Sequence, residues 1–236
     1  MKYRHFLLDL DDTLLDFRAS ERMSFHGAMT ALGLADHAER TFVDYQRENM
    51  ALWGDFERGI VSKEHLKVER FRRTFGHHAL DADPEAASSF YLAALPESVV
   101  LLDGALELCA ALAAIGEVGI ITNGIEAVQA QRIERAGLSG FLSFVATSET
   151  CGFAKPDERF FTFASSMFRH FTKDDAIIIG DRLDADIEGA RRFGIDSCWF
   201  NPRRTSNTMN LKPTFEVARL VEVVAAMHGR GREIPK

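Results

Sequence analysis

The sequence predicts an α/β fold, a Rossmann-like doubly wound parallel sheet carrying an inserted all-helical domain. Three observations predict it. After residue 95, short apolar runs alternate with stretches of helical periodicity, the pattern of a parallel sheet covered on both faces. Several of those runs stop abruptly at polar groups, as expected where strand ends line a site. Residues 16–94 carry helical periodicity and no convincing strand, so they interrupt the α/β pattern between its first strand and the rest.

Taken in order, Phe6, Leu7 and Leu8 follow a short polar lead and suit a strand buried on both faces. The chain then turns acidic through Asp9, Asp11 and Asp12. From residue 16, Met23, Ala28, Met29 and Leu32 recur at helical spacing, followed by Phe42, Tyr45, Asn49, Leu52 and Trp53, and then by Leu66, Val68, Phe71 and Phe75. Gly33, Gly54, Gly59 and Gly76 punctuate these helices, and Asp83-Pro84 opens another. Pro96 marks the return. A core of residues 1–15 and 95–236 with an insert at 16–94 is therefore expected.

Beyond the insert, Leu108, Cys109, Leu112 and Ile115 share a helical face, and Val118 to Ile121 form a strand ending in Thr122-Asn123-Gly124. A helix over about 126–136 stops at Gly137. Phe144 to Ala146 read as a strand, and Lys155-Pro156-Asp157 opens a helix with proline near its first turn. Ala176 to Ile179 is the clearest strand and ends in Gly180-Asp181. A helix from Ile187 to Phe193, strands at Cys198 to Phe200 and at Phe215, and a last amphipathic helix from Leu220 to Met227 complete the alternation.

The 236 residues, 46% of them hydrophobic, suffice for one large domain or a domain with an insertion. A net charge of −7 without a basic run argues against a nucleic-acid polymer as partner, yet leaves room for a small anionic substrate held by local cations. Cys109, Cys151 and Cys198 are odd in number and widely spaced, which fits reduced cytoplasmic thiols better than disulfides or a zinc site. The amino terminus does not read as a signal peptide, and no apolar run approaches the roughly eighteen residues of a membrane span. The sequence sets no oligomeric state.

Asp9, Thr122 and Asp181 end three expected parallel strands and so can converge at one sheet edge. Asp9, Asp11 and Asp181 offer hard oxygen ligands of the kind Mg2+ takes. An aspartate can also serve as nucleophile and form an aspartyl-phosphate, and Asp9 is the candidate. Lys155 would join the metal in offsetting anionic repulsion. Thr122 and Asn123 offer a hydroxyl, an amide and backbone N–H groups to phosphoryl oxygens. In the acidic loop after Asp181, Asp184 is read as a helix cap and Asp186 as a support for the metal.

Together, Asp9-Leu10-Asp11-Asp12-Thr13, Thr122, Lys155 and Gly180-Asp181 through Asp186 resemble the motifs of the haloacid dehalogenase superfamily, over essentially the whole chain. The resemblance implies a Rossmann-like core and a helical cap after the first motif. It also implies Asp9 as nucleophile, Asp11 as general acid and base with its backbone carbonyl on Mg2+, Thr122 and Lys155 as phosphate-binding groups, and Asp181 with Asp186 at the metal. The dehalogenase branch lacks an acid two residues after the nucleophile. Asp11 stands there, so phosphatase chemistry is implied. Asp44-Tyr45-Gln46 with Asn49, Leu52-Trp53, Ile120 to Gly124, Cys198-Trp199 and Pro213-Thr214 further resemble bacterial pyrimidine 5'-nucleotidases. The expected substrate is thus a small phosphate monoester, most closely a nucleotide. A sugar-phosphate or phosphoglycolate-type phosphatase, a phosphomutase, and in another class a phospho-receiver domain remain open from the sequence, the last disfavoured by Asp11 and by the size of the insert.

Overall fold

The structure is a computed structural model that describes residues 2–228. Six parallel strands form one sheet: β1 (His5–Leu8), β2 (Glu117–Thr122), β3 (Phe144–Thr147), β4 (Ala176–Gly180), β5 (Asp196–Phe200) and β6 (Phe215–Val217), in the order β3-β2-β1-β4-β5-β6. The helices are α1 (Phe17–Ala31), α2 (Ala35–Glu57), α3 (Lys63–His77), α4 (Pro84–Ala94), α5 (Ala105–Ala113), α6 (Glu126–Arg135), α7 (Ser148–Cys151), α8 (Glu158–Ser166), α9 (Glu188–Phe193) and α10 (Val223–His228). This strand order reverses direction between β1 and β4, and ligands in such sheets bind beyond the carboxyl ends at that reversal. The chain divides into two compact units. One holds residues 1–16, 101–126 and 133–236, and the other holds 17–100 with 127–132.

In the sheet unit, Leu7 pairs in register with Ile178, and Ile121 with Ala146. Their side chains share one face, which Phe160, Phe161 and Ala164 of α8 and Ala190 and Phe193 of α9 cover. All four residues of β1 are buried, as the apolar run requires. The sheet closes tightly at its amino edge, where the backbone N–H of Glu117 donates to the Arg4 carbonyl at 2.8 Å. A Cβ on Gly116 would lie 2.1 Å from that same oxygen, so only glycine lets β1 and β2 approach here.

In the helical unit, Asp83 accepts from the Glu85 N–H and caps α4, with Pro84 in its first turn. Gly54 and Gly76 do not end helices. α2 runs past the first to Glu57 and α3 past the second to His77, because their packed faces outweigh a modest propensity cost of about 1 kcal/mol per glycine. The centre is aromatic. Phe25, Tyr45, Phe71 and Tyr91 are fully buried, with Phe25 and Tyr45 ring centroids 4.5 Å apart and Tyr45 and Phe71 5.1 Å apart. Trp53 packs edge-on against Phe56 at 5.7 Å.

Cys109 and Cys198 are buried thiols, and all three cysteines are free. No helix among the described residues is long and apolar enough to cross a membrane. Gly116→Ala should lower unfolding stability by about 1–3 kcal/mol, because the clash is with backbone and the strand must move. Urea denaturation measures this, and an unchanged midpoint would show that the β1–β2 approach is not constrained there.

Candidate active site

The first strand delivers Asp9 to the carboxyl edge of the sheet, where its N–H donates to the Ile179 carbonyl at 2.9 Å. The extended chain then ends. Leu14 and Leu15 both donate back to the Leu10 carbonyl, at 2.9 and 3.0 Å, and Asp12 takes a φ of 59°, a left-handed conformation that aspartate tolerates better than most residues. This compact loop folds Thr13 beneath Asp9. The Thr13 hydroxyl lies 3.1 Å from Asp9 Oδ2 and 3.4 Å from Asp181 Oδ1, and it accepts the Asp181 N–H at 3.1 Å. One buried hydroxyl therefore ties the ends of β1 and β4 together. The chain leaves the extended conformation at this loop. Asp11 is half-buried, and it is Asp9, Asp181 and Asp186 whose carboxylate oxygens lie within 4.8 Å of one another.

Asp186 reaches the cluster through the loop after β4. Residues Leu183–Ile187 form a single π-helical turn in which both Asp186 and Ile187 donate to the Arg182 carbonyl, at 2.9 and 3.2 Å. That turn aims the Asp186 carboxylate over Gly180, where a Cβ would sit 2.4 Å from its carbon atom. Asp184, read from the sequence as a helix cap, is held by an ion pair: its exposed carboxylate accepts from the Arg182 guanidinium at 2.8 and 3.0 Å.

Lys155 stands at the centre. Its ammonium is buried and donates to Asp9 Oδ1 at 2.6 Å, Asp186 Oδ1 at 2.7 Å and the Ile121 carbonyl at 2.9 Å, which accounts for all three of its protons. Burial alone would push this lysine down, but the carboxylates of Asp186 and Asp9 outweigh it and hold the ammonium above its ordinary range. Asp9 is pushed up to about 7, by burial first and by Asp186 and Asp11 in addition, against the pull of Lys155. Burial and the neighbouring Asp9, Asp186 and Asp12 likewise hold Asp181 well above the carboxylate range.

Asn123 does not present its side chain as a loose donor. Its amide nitrogen donates to the Lys155 carbonyl at 3.1 Å and its amide oxygen accepts the Lys155 N–H at 2.8 Å, so it clamps the lysine's main chain. Thr122, buried at the end of β2, has its hydroxyl oxygen accepting the Gly124 N–H at 3.0 Å. Sequence reasoning singled out Trp199 only as part of a resemblance. Its indole N–H donates 2.8 Å to the Asp181 carbonyl and fixes the loop from the neighbouring strand. An aromatic at the end of the strand beside Gly180-Asp181 was the available signal, since β4 and β5 pair Gly180 with Trp199.

The donor set is wholly carboxylate, three acids against one lysine. Such a set fits a hard dication, whose charge would offset the burial and the mutual repulsion that raise Asp9 and Asp181.

Comparison with known proteins agrees with this geometry. The profile of the haloacid dehalogenase-like hydrolases matches residues 3–194. The chain is 35% identical over 219 residues to the pyrimidine 5'-nucleotidase PynA of Streptococcus pneumoniae, covering 92% of each chain. It is 29% identical over 226 residues to the pyrimidine 5'-nucleotidase YjjG of Escherichia coli, covering 94% of this chain and 97% of the other. The crystal structure of the HAD-hydrolase YfnB from Bacillus subtilis, bound to magnesium, superposes with a TM-score of 0.86 at 31% identity over 95% of this chain and 98% of that one.

Gly180→Ala should cost about 1–3 kcal/mol by forcing the Asp186 carboxylate off its seat, and it should loosen the hold on Lys155. A variant with wild-type urea stability would show that Asp186 has room to move.

Proposed function

The chain belongs to the haloacid dehalogenase-like hydrolases, and from that footing we propose that it is a Mg2+-dependent phosphatase working through an aspartyl-phosphate on Asp9, with pyrimidine nucleoside 5'-monophosphates as substrates. The observation that carries the chemistry is the buried Lys155 ammonium on Asp9 Oδ1, which orients a carboxylate at the open end of the sheet and limits its rotation. The nucleotide assignment draws on the likeness to PynA and YjjG. YfnB holds magnesium, and the oxygen-only donors here suit the same ion.

On this reading Asp9, Asp181 and Asp186, with the Asp11 carbonyl, would hold Mg2+. Bound there, the ion supplies positive charge to phosphate oxygens that would otherwise be repelled. The Asp9 carboxylate attacks phosphorus as the ester P–O bond breaks, and Asp11 gives its proton to the departing alkoxide. Asp11, now a carboxylate, takes a proton from water. That water attacks the phospho-enzyme at phosphorus, releasing phosphate and restoring Asp9. Thr122 and Asn123 face the phosphoryl group from the end of β2, and Asn123 also holds Lys155 in place. Lys155 spends its protons on Asp9, Asp186 and Ile121, so its share is to position the nucleophile and lend its charge.

Asp9→Asn removes the attacking charge and a metal ligand from a strand end. It should therefore abolish phosphate release while circular dichroism stays native, and turnover at wild-type rates would end the nucleophile assignment. Activity should also vanish in excess chelator and return with Mg2+. Asp11→Asn should slow nucleotide hydrolysis about 10²–10⁴-fold. An aryl phosphate, whose leaving group scarcely needs a proton, should still give a burst of aryl alcohol before slow turnover. Equal loss of the first step with both esters would assign Asp11 a structural part instead.

A further inference from the structure

Asp181 leaves the sheet with both of its main-chain groups held by side chains. Its N–H donates to the Thr13 hydroxyl at 3.1 Å, and its carbonyl accepts the Trp199 indole N–H at 2.8 Å. The peptide bond between Asp181 and Arg182 is planar, so a donor seated on its carbonyl also fixes the N–H that points the opposite way. That N–H, from Arg182, donates to Asp186 Oδ2 at 3.1 Å. Asp186 is wholly buried, and its other oxygen, Oδ1, accepts from the Lys155 ammonium at 2.7 Å. Asp186 is tied to Arg182 a second time, since its own N–H donates to the Arg182 carbonyl at 2.9 Å. One peptide group thus stands between an indole and a carboxylate, and through it β5 reaches the acid cluster.

The register of the sheet places Trp199 for this contact. Gly180 and Trp199 are partners across β4 and β5, and partners in a parallel ladder send their side chains to one face. Asp186 lies on that face over Gly180, where a Cβ would sit 2.4 Å from its Oδ2. Gly180 has no side chain, so the indole, 3% exposed, crosses to the end of β4 on the side where Asp186 lies. Its single N–H is spent on the Asp181 carbonyl, and a hydrogen bond there polarises the peptide and strengthens the Arg182 N–H as a donor to Asp186. We propose that Trp199 is a positioning residue for the cation site: by holding the Asp181–Arg182 peptide it fixes the carboxylates of Asp181 and Asp186 together, and so sets how tightly a divalent cation is held. The inference rests on the Mg2+ reading of the acid cluster and adds to it a residue that acts only through main chain.

Trp199→Phe keeps an aromatic ring on the strand and removes the donor. Calorimetric titration of Mg2+ into the full chain should show affinity lowered about 10–100-fold, the usual effect of removing a group that orients a metal ligand. Phosphate release by the variant should be slow at low Mg2+ and return to the wild-type rate once Mg2+ is raised in proportion. A part limited to packing would lower the rate at every Mg2+ concentration. The indole gives a second measurement that needs no change at residue 199. The chain has two tryptophans, so Trp53→Phe leaves one indole N–H resonance, and it should move during the Mg2+ titration with the calorimetric midpoint. If Trp199→Phe binds Mg2+ as tightly as the wild type, if its lost rate does not return with Mg2+, or if the indole resonance stays fixed through the titration, the proposal is overturned. A wild type that takes up no Mg2+ overturns the metal reading and this proposal with it, whereas a wild type and a variant that bind Mg2+ equally overturn the proposal alone.

Discussion

The sheet unit depends on a single buried cation. Lys155 joins Asp9, 146 residues earlier in the chain, to Asp186, 31 residues later, and its third proton goes to the end of β2. Two strand ends and the turn that follows a third are thereby pinned to one nitrogen. Burying an ammonium in this way is tolerable only when every proton finds an acceptor and opposite charge lies close, and both conditions are met. Removing the lysine would leave two buried carboxylates facing each other. The arrangement explains why neighbouring features are so constrained: Asn123 grips the lysine's main chain, Gly180 gives the Asp186 carboxylate a place to lie, and Trp199 and Thr13 hold the Asp181 loop.

Much of this was legible because strand ends of a parallel sheet share an edge. Apolar runs that stop at Asp9, Thr122 and Asp181 needed no knowledge of distances to be placed together. What escaped the sequence was local backbone geometry. The sequence presents Asp9, Asp11 and Asp181 as oxygen ligands, whereas the carboxylates that cluster are those of Asp9, Asp181 and Asp186, because the loop closes on Leu10 straight after Asp9. The π turn after Asp181 sends Asp186 inward, and Asp184 pairs with Arg182. Nothing in single-residue propensity announces such a turn. Gly54 and Gly76 looked like stops because propensity was weighed without the aromatic packing that carries both helices through.

The two units solve the problem of buried charge differently. In the sheet unit, anions outnumber the cation, and burial, with their mutual repulsion added, lifts Asp9 to about 7. In the helical unit, a guanidinium, that of Arg70, is enclosed by aromatic faces and neutral acceptors. The first departs from the rule that interior charges are matched in the sense of what an incoming group could bring, positive charge; the second is stabilised by ring faces and amide and carbonyl oxygens instead of an opposite charge.

The excess of acid also decides what one lysine can do. At about 4 Å and an effective dielectric near 20, a pair of unit charges interacts by about 4 kcal/mol. A phosphate ester approaching Asp9 would meet three carboxylates and a single ammonium already shared between two of them. The attraction from Lys155 offsets one such repulsion and leaves the others. On the proposed chemistry, a nucleophilic carboxylate in this setting meets an anionic ester only with further positive charge on the same side of the sheet, which a dication on these oxygens would supply. The same count explains the fixed place of Lys155. A lysine free to follow a phosphate would abandon Asp9 and Asp186 to each other, whereas one spent on the protein keeps the Asp9 carboxylate in a single orientation and, on the proposed chemistry, would leave the phosphate's charge to a bound ion.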